Sequence, residues 1–543
     1  MLKNRQFQLV QRVLNLNESI NEGGQKNSLK WKVLIYDDLG IWILSTLLKV
    51  SRLLEVGVTI HGHISKKRDP IPDVSAVYLV QPTKENVSII ANDIGNNLFD
   101  HVYVNFISPI DDNLLKEFAE SVARASDGRS IKSIVDQYIN FSSPDPGLFT
   151  LFESKPYFKD IYGYRASDES VLSSVSEIAM GLVSVFLNAG EVPRILHTSE
   201  GAGSYVAQKF SELISPIAKN FEIWETRKNT TNGKYPLLIL LDRTTDLVGS
   251  LLHPSTYQAL IFDHFGIKRN QVSVGKEVFD LDTVLDKFWL DNKGKIFNSA
   301  AEAVQREFSI FKTEYGSIRN NLENAVTNLQ DLSHKQMSLS AHTKICDALL
   351  ASIKSKQSNN LYQIECDILS QEAVEVPALL KIVSEIPEKD DKLRLLTIAY
   401  LCDLIPKESF SQFEQYVGPI DFLDRLSKFK IMSKKSGFLN KVLRKVGASD
   451  SGNLAEKLPV VQTTNKLLKE SIDGFRLMNP LTGKAEDPEP IGNVYVFIVG
   501  PGNYLEYQGL MELASKERIE ITYGCTSILR PSEFLQGLAE MVQ

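Results

Sequence analysis

The chain has 543 residues, too many for one hydrophobic core, so about two to four domains are expected. A hydrophobic content of 43% with 23% charged residues is that of an ordinary soluble globular protein, and the net charge of −7 excludes bulk nucleic-acid binding. Cys346, Cys366, Cys402 and Cys525 lie far apart with no CxxC pair, which excludes the common zinc spacings and a disulfide framework and points to a reducing cytosol. The first seventeen residues, MLKNRQFQLVQRVLNLN, read as an amphipathic helix rather than a signal peptide, and no apolar run approaches membrane-spanning length.

Lys32 to Tyr36 (KVLIY) reads as a buried strand running into Asp37 and Asp38. Ile41, Leu44, Leu47, Leu48 and Leu54 recur at helical spacing, Gly57 supplies a stop, and Val58 to Ile64 resumes as strand. This βαβ pattern predicts a parallel sheet with helices on its faces. The prolines of RDPIPDV mark a loop. Ala76 to Val80 and His101 to Ile107 follow as strands, with Thr83 placed to cap the helix between them. Residues 1–143 thus read as a first α/β domain.

SSPDPG, Ser142 to Gly147, marks a boundary. A helix from about Ser170 to Leu187, the strand PRILHTS and a helix from about Ala202 begin a second α/β domain. The apolar run Leu237 to Leu241 is its next strand, with Asp242 at the carboxyl end. Tyr257, Leu260, Ile261, His264 and Phe265 then repeat at helical spacing and Gly266 ends the element. From residue 251 to 479 helical periodicity dominates, including a helix through His342, Ile345, Leu349 and Ile353. Strand character returns at Asn493 to Gly502 and in IEITYG, with helices from about Tyr504 and after Pro531. A strand–helix–strand unit needs a sheet for its edges. The C-terminus is therefore expected to complete the second domain, giving residues 144–250 and 480–543 as one discontinuous α/β domain and 251–479 as a helical insertion.

GPG at Gly500 to Gly502 and GAG at Gly201 to Gly203 each follow a strand. Both lack the remaining glycines and the Lys-Ser/Thr of a phosphate loop, so tight turns are the simpler reading. Asp242 stands where a phosphoaspartyl nucleophile would, but Thr244 occupies the place of the second carboxylate, which favours a structural turn. His61 and His63 share a strand face without a set of further metal ligands. No catalytic constellation survives. Arg425 to Ser449 is different in kind. It carries eight Lys or Arg and no acid, with Phe438, Leu439, Val442, Leu443 and Val446 on one helical face opposed by Lys441, Arg444 and Lys445. Such a helix suits an anionic membrane surface or a partner helix, or packs on its own domain with a solvated basic face.

In order along the chain, WKVLIYDDLG, RDPIPDVSAVYLVQPTKEN, VNFIS, DQYINF, LILLDRTTDL, HPSTYQALIFD, VGPGNYLEY and ITYGCTSIL resemble the SM (Sec/Munc) regulators of SNARE-mediated membrane fusion. DPIPDVSAVYLVQPT and DQYINF look most like the Sly-type branch, which serves transport between endoplasmic reticulum and Golgi. The resemblance implies an arch-shaped fold of two parallel-sheet α/β domains with a large α-helical domain inserted in the second. It implies a cytosolic monomer, peripheral on ER and Golgi membranes and transport vesicles, with no enzymatic activity and no cofactor or metal. Its partners would be a syntaxin of the ER or Golgi, held by its N-terminal peptide, and SNARE bundles.

The peptide's aromatic residue would enter a pocket built by the last helices of the first domain. The matching residues are Leu115 and Phe118, and Ile131, Ile134 and Val135, with Asp136 at the rim to meet a basic residue. Without the resemblance these would be the core faces of two amphipathic helices. A helical hairpin at about 317–356 would meet SNARE helices through Leu332, Met337 and Leu339. Phe438, Leu439, Lys441, Leu443, Arg444 and Lys445 would touch membrane, near where Sly-type proteins carry a lid. The alternatives are an SM protein of an endosomal or plasma-membrane branch, and a nucleotide-dependent enzyme using Asp37, Asp242 and the Gly500 loop.

Overall fold

The apolar segments read as buried strands distribute between two separate sheets. A computed structural model describes residues 2–18, 30–152, 155–220, 234–281, 286–319, 325–369, 375–427, 454–470, 472–484 and 490–542.

The N-terminal part comprises helix α1 (Leu2–Leu14), strand β1 (Lys32–Tyr36), helices α2 (Asp38–Leu47) and α3 (Val50–Glu55), strands β2 (Val58–His63) and β3 (Ser75–Val80), helix α4 (Lys84–Gly95), strand β4 (Val102–Phe106), helix α5 (Asp112–Ala125) and strand β5 (Ile131–Asp136). The strands form a parallel sheet in the order β2-β1-β3-β4-β5. Alternation along each strand supplies both faces. Val33, Tyr78, Val104 and Phe106 pack with Ile90 of α4 and Phe118 of α5. Leu34, Val77 and Leu79 pack with Val10 and Val13 of α1 and Ile43 of α2. Burying each such side chain stabilises the fold by roughly 1.5–3 kcal/mol. The amphipathic reading of α1 has a specific outcome: buried Gln6 donates to Phe141 O at 2.6 Å, tying the helix to the chain that leaves this sheet.

The second sheet gathers β6 (Ser142–Asp145), β7 (Leu148–Thr150), β8 (Arg194–Thr198), β9 (Tyr235–Asp242), β12 (Phe475–Met478), β13 (Ile491–Gly502) and β14 (Ile521–Ile528), in the order β12-β8-β9-β13-β14-β7-β6. The C-terminal strands do return: β13 lies between β9 and β14, parallel to both. In β13, Val494, Val496 and Ile498 join one core while Tyr495, Phe497 and Val499 join the other, so the strand is buried on both faces. Helices α6 (Tyr157–Tyr162), α7 (Asp168–Ala189) and α8 (Ala202–Asn220) precede the insertion. Helix α7 is long and apolar enough to cross a membrane, contrary to the expectation that no run approaches that length. Its Ile178, Leu182, Val185 and Phe186 are fully buried in the core that also holds Leu238 and Phe497, so its apolarity belongs to the interior of the fold.

Between β9 and β13 come helices α9 (Tyr257–Phe265), α10 (Lys287–Asn292), α11 (Phe297–Arg319), α12 (Ala325–Lys356), α13 (Ser358–Leu369), α14 (Val376–Glu385), α15 (Lys389–Leu401), α16 (Phe410–Val417) and α17 (Pro459–Leu467); α18 (Tyr504–Glu517) and α19 (Pro531–Met541) follow the return. The stretch 251–479 is less uniformly helical than its periodicity suggests. A hairpin of β10 (Gln271–Val274) and β11 (Glu277–Asp280) interrupts it, and β12 pairs antiparallel with β8 at the edge of the second sheet.

Candidate functional site

The carboxylates that invited a catalytic reading are already committed. Asp37 caps α2 by accepting from Gly40 N at 2.8 Å, and also accepts from Gln81 N at 2.7 Å and Asn86 Nδ2 at 3.0 Å. Asp242 accepts from the Tyr162 hydroxyl and from Gly203 N, both at 2.8 Å. The GAG turn and Asp242 therefore satisfy each other, and a Cβ at Gly201 would sit 2.3 Å from Asp242 Oδ2. Burial raises the pKa of both acids. At Gly500, φ is +135° and a Cβ would lie 2.5 Å from Arg243 Cβ, so this loop is packed against protein rather than open to a phosphate. Arg243 is itself buried and bonds Glu506 at 2.8 Å, with Asp246 3.6 Å away. Burial disfavours its charge, yet Glu506 and Asp246 outweigh that and raise its pKa. The two histidines also have partners: His61 Nδ1 meets the Tyr36 hydroxyl at 3.0 Å, and His63 Nδ1 meets Ser65 Oγ at 2.7 Å.

The candidate peptide pocket lies at the β5 edge, and its architecture differs from the expectation. Residues 131–136 are not a helix but the edge strand of the first sheet. A bulge puts Ile131 and Ile134 on one face at the spacing of a helix, and leaves Val135 off it. Val102 pairs with Ile131, but Tyr103 pairs with Ser133 and Val104 with Ile134, so Lys132 is the extra residue. Partnered residues share a sheet face. Ile134 and Asp136 therefore lie on the face of Val104 and Phe106, where Ile131 and Leu115 pack as well. Ser133 and Val135 fall on the other face, where Ser133 Oγ accepts from Asn17 Nδ2 at 3.2 Å.

The six residues thus separate into three groups. Leu115, Ile131, Ile134 and Asp136 share one rim, with Ile134 40% exposed. Phe118, at 1% exposed, is a core residue beneath that rim. Val135 points to the opposite face. Helix α5 is set over this edge by Asp111, which caps it by accepting from Asn113 N at 2.9 Å. Asp136 is half-buried and accepts from Ile110 N at 3.3 Å. Burial raises its pKa, the Ile110 amide opposes, and among the described residues no cation pairs with it. Such a carboxylate is an unspent counter-charge. Ile110 and half-buried Leu114 flank the same core; Asp111, the cap of α5, was the signal that could have marked them.

In α12, Met337 is 68% exposed, Leu332 packs half-buried on the core, and Leu339 is fully interior at 1%. Leu339 is thus corrected from a contact to a core residue. Just beyond it His342 stands between the Tyr257 hydroxyl at 2.9 Å and Asp286 at 3.0 Å, while Ser338 donates to Asp286 at 2.8 Å. The helix is rooted there. Phe438, Leu439, Lys441, Leu443, Arg444 and Lys445 lie outside the described residues.

With this geometry in view, a family model described as the Sec1 family matches residues 32–537. The chain belongs to the Sec1 family. Among its relatives, human Sec1 family domain-containing protein 1 is 28% identical, covering 100% of this chain and 98% of the relative. Schizosaccharomyces pombe protein sly1 is also 28% identical, covering 99% and 98%. The solved structure of Sly1p in complex with an N-terminal peptide of Sed5p superposes with a TM-score of 0.84 at 26% identity, covering 99% of this chain and 98% of that one. The SM protein Vps45, at 18% identity and a TM-score of 0.76, shares the fold. This Sec1-family chain thus carries the expected architecture of two parallel-sheet domains and a helical insertion.

Proposed function

We propose that this chain is an SM regulator of SNARE-mediated vesicle fusion in ER–Golgi transport, binding a syntaxin and promoting SNARE complex assembly. The similarity to sly1 proteins over nearly the whole length supports the Sly-type branch. One observation carries the mechanism. The β5 bulge sets Ile131 and Ile134 on the face of Leu115, with Asp136, which has no ion-pair partner among the described residues, beside them. That rim offers an apolar contact and an anion to the N-terminal peptide of a syntaxin, as the solved Sly1p complex holds a peptide of Sed5p. A single buried aromatic contributes roughly 1.5–3 kcal/mol, enough for a hot spot within a wider polar site. Holding the syntaxin there while Met337 and the outer part of α12 receive SNARE helices raises their effective concentration and lowers the entropic cost of assembly. The protein works as a regulator rather than an enzyme, from the cytosol and peripherally on ER and Golgi membranes.

Titration of N-terminal syntaxin peptides from ER–Golgi, endosomal and plasma-membrane compartments tests the reading. An ER–Golgi peptide should bind tightest, and Ile134→Asp and Leu115→Lys should weaken it. Preference for an endosomal peptide would move the protein to another branch. Binding unchanged in both variants would show the pocket to lie elsewhere.

A further inference from the structure

Among the described residues the first sheet has a second free edge, β2, at the opposite end from β5. Ile64 donates its amide to Tyr36 O at 2.8 Å. By the alternation of a strand, the amides of Gly62 and Ile60 also turn to β1, and those of His61 and His63 face outward. Ile60 is 50% exposed, and Trp31, one residue before β1, is 59% exposed. A Cβ at Gly62 would meet no atom within 4 Å, so the space over this strand is open.

The other face of β2 carries His61 and borders a cavity of about 480 Å³ between α2, α3 and the β10–β11 segment. Leu44, Leu48, Leu53 and Leu281 form its apolar wall. Arg269 lines it and has no ion-pair partner among the described residues; the exposed Lys66 and Lys67 just past β2 are likewise unpaired there. Of the nearby acids, Asp280 lies 3.4 Å from Lys49, and Asp38 lies 3.5 Å from His63.

We propose that the β2 edge receives an extended acidic segment of a partner protein as an added strand. Its backbone bonds the outward amides of His61 and His63, and alternate side chains enter the cavity toward Arg269. A bare edge would be only an aggregation hazard. Here a pocket on one face and open space over Gly62 on the other give an added strand somewhere to place both sets of side chains, which is how strand addition achieves specificity. The uncompensated cations select acidic side chains over basic ones.

The test uses the full chain and a fluorescein-labelled synthetic peptide of about eight residues alternating Glu and Val, followed by fluorescence anisotropy. A Lys–Val peptide of the same length is the control. Saturable binding of the Glu–Val peptide is expected, weakened about tenfold or more by Arg269→Glu and by His63→Pro, and unaffected by Ile134→Asp at the opposite edge. Arg269 is exposed, so its variant reports on binding even if the proline variant melts early. Absence of saturation, equal binding of the Lys–Val peptide, or wild-type binding by both variants overturns the proposal. Self-association that disappears in His63→Pro also overturns it, by giving the edge to a second copy of this chain.

Discussion

The two sheets are built from the same kind of apolar strand and end in opposite chemical states. In the second sheet the central strands β9, β13 and β14 are covered on both faces, and every polar group at their carboxyl ends that resembled a catalytic residue is bonded to protein. Among the described residues, the outermost strands β2 and β5 of the first sheet keep unpaired edges and Asp136 has no cation, with Ile60 and Ile134 half-exposed. A buried charge must be paired where it stands, whereas a charge at an edge can wait for a partner. Motifs in the interior of this protein hold it together, and plainer residues at its rim are the ones free to bind.

Perturbing the interior should therefore cost stability first. Arg243→Met leaves Glu506 and Asp246 buried around a lost counter-charge, and a destabilisation of about 3–5 kcal/mol is expected in urea unfolding. Arg243→Met with Glu506→Gln should recover part of it; a mild single variant would break the comparison. Phe118→Ala should likewise cost about 3–5 kcal/mol and reduce peptide binding only through unfolding, because the ring lies beneath the rim.

At the rim the ranking reverses. Ile134→Asp should weaken a syntaxin N-terminal peptide by about 1.5–3 kcal/mol in anisotropy titrations. Its melting midpoint should stay near wild type, since half-exposed positions rarely matter more than about 0.5 kcal/mol.

The smallest effect is a pH dependence within the joint that carries the insertion. His253 lies 2.6 Å from Glu365 and 3.6 Å from Asp391. Burial and Arg394 disfavour its charged form, but the two acids prevail and its pKa is raised. The stability this adds is fully present below the unfolded value of about 6.5 and is lost as pH rises through the raised folded value. Nearby His264 has the opposite sign. Burial lowers it to about 4, so it costs stability as pH falls from about 6.5 toward that value. The gap in urea midpoint between wild type and His253→Gln should accordingly narrow as pH rises from 6 toward 9. A gap that widens would show His253 to be neutral in the fold.

Local sequence was sufficient wherever one physical rule decided the outcome. The doubly buried strands announce themselves as apolar runs, Thr83 caps the helix it precedes, and the return of β13 follows from the cost of unpaired strand edges. What tertiary structure alone decided is where the register breaks and which face is covered. The bulge at Lys132 gives a strand the spacing of a helix, and only pairing with β4 reveals it. The apolar length of α7 fits a membrane or a core equally well, and packing against Phe497 and Leu238 selects the core. Met337 and Leu339, two residues apart on one helix, lie on nearly opposite sides of it, and only the packing of neighbours brought from far along the chain decides that the side of Leu339 is the interior one.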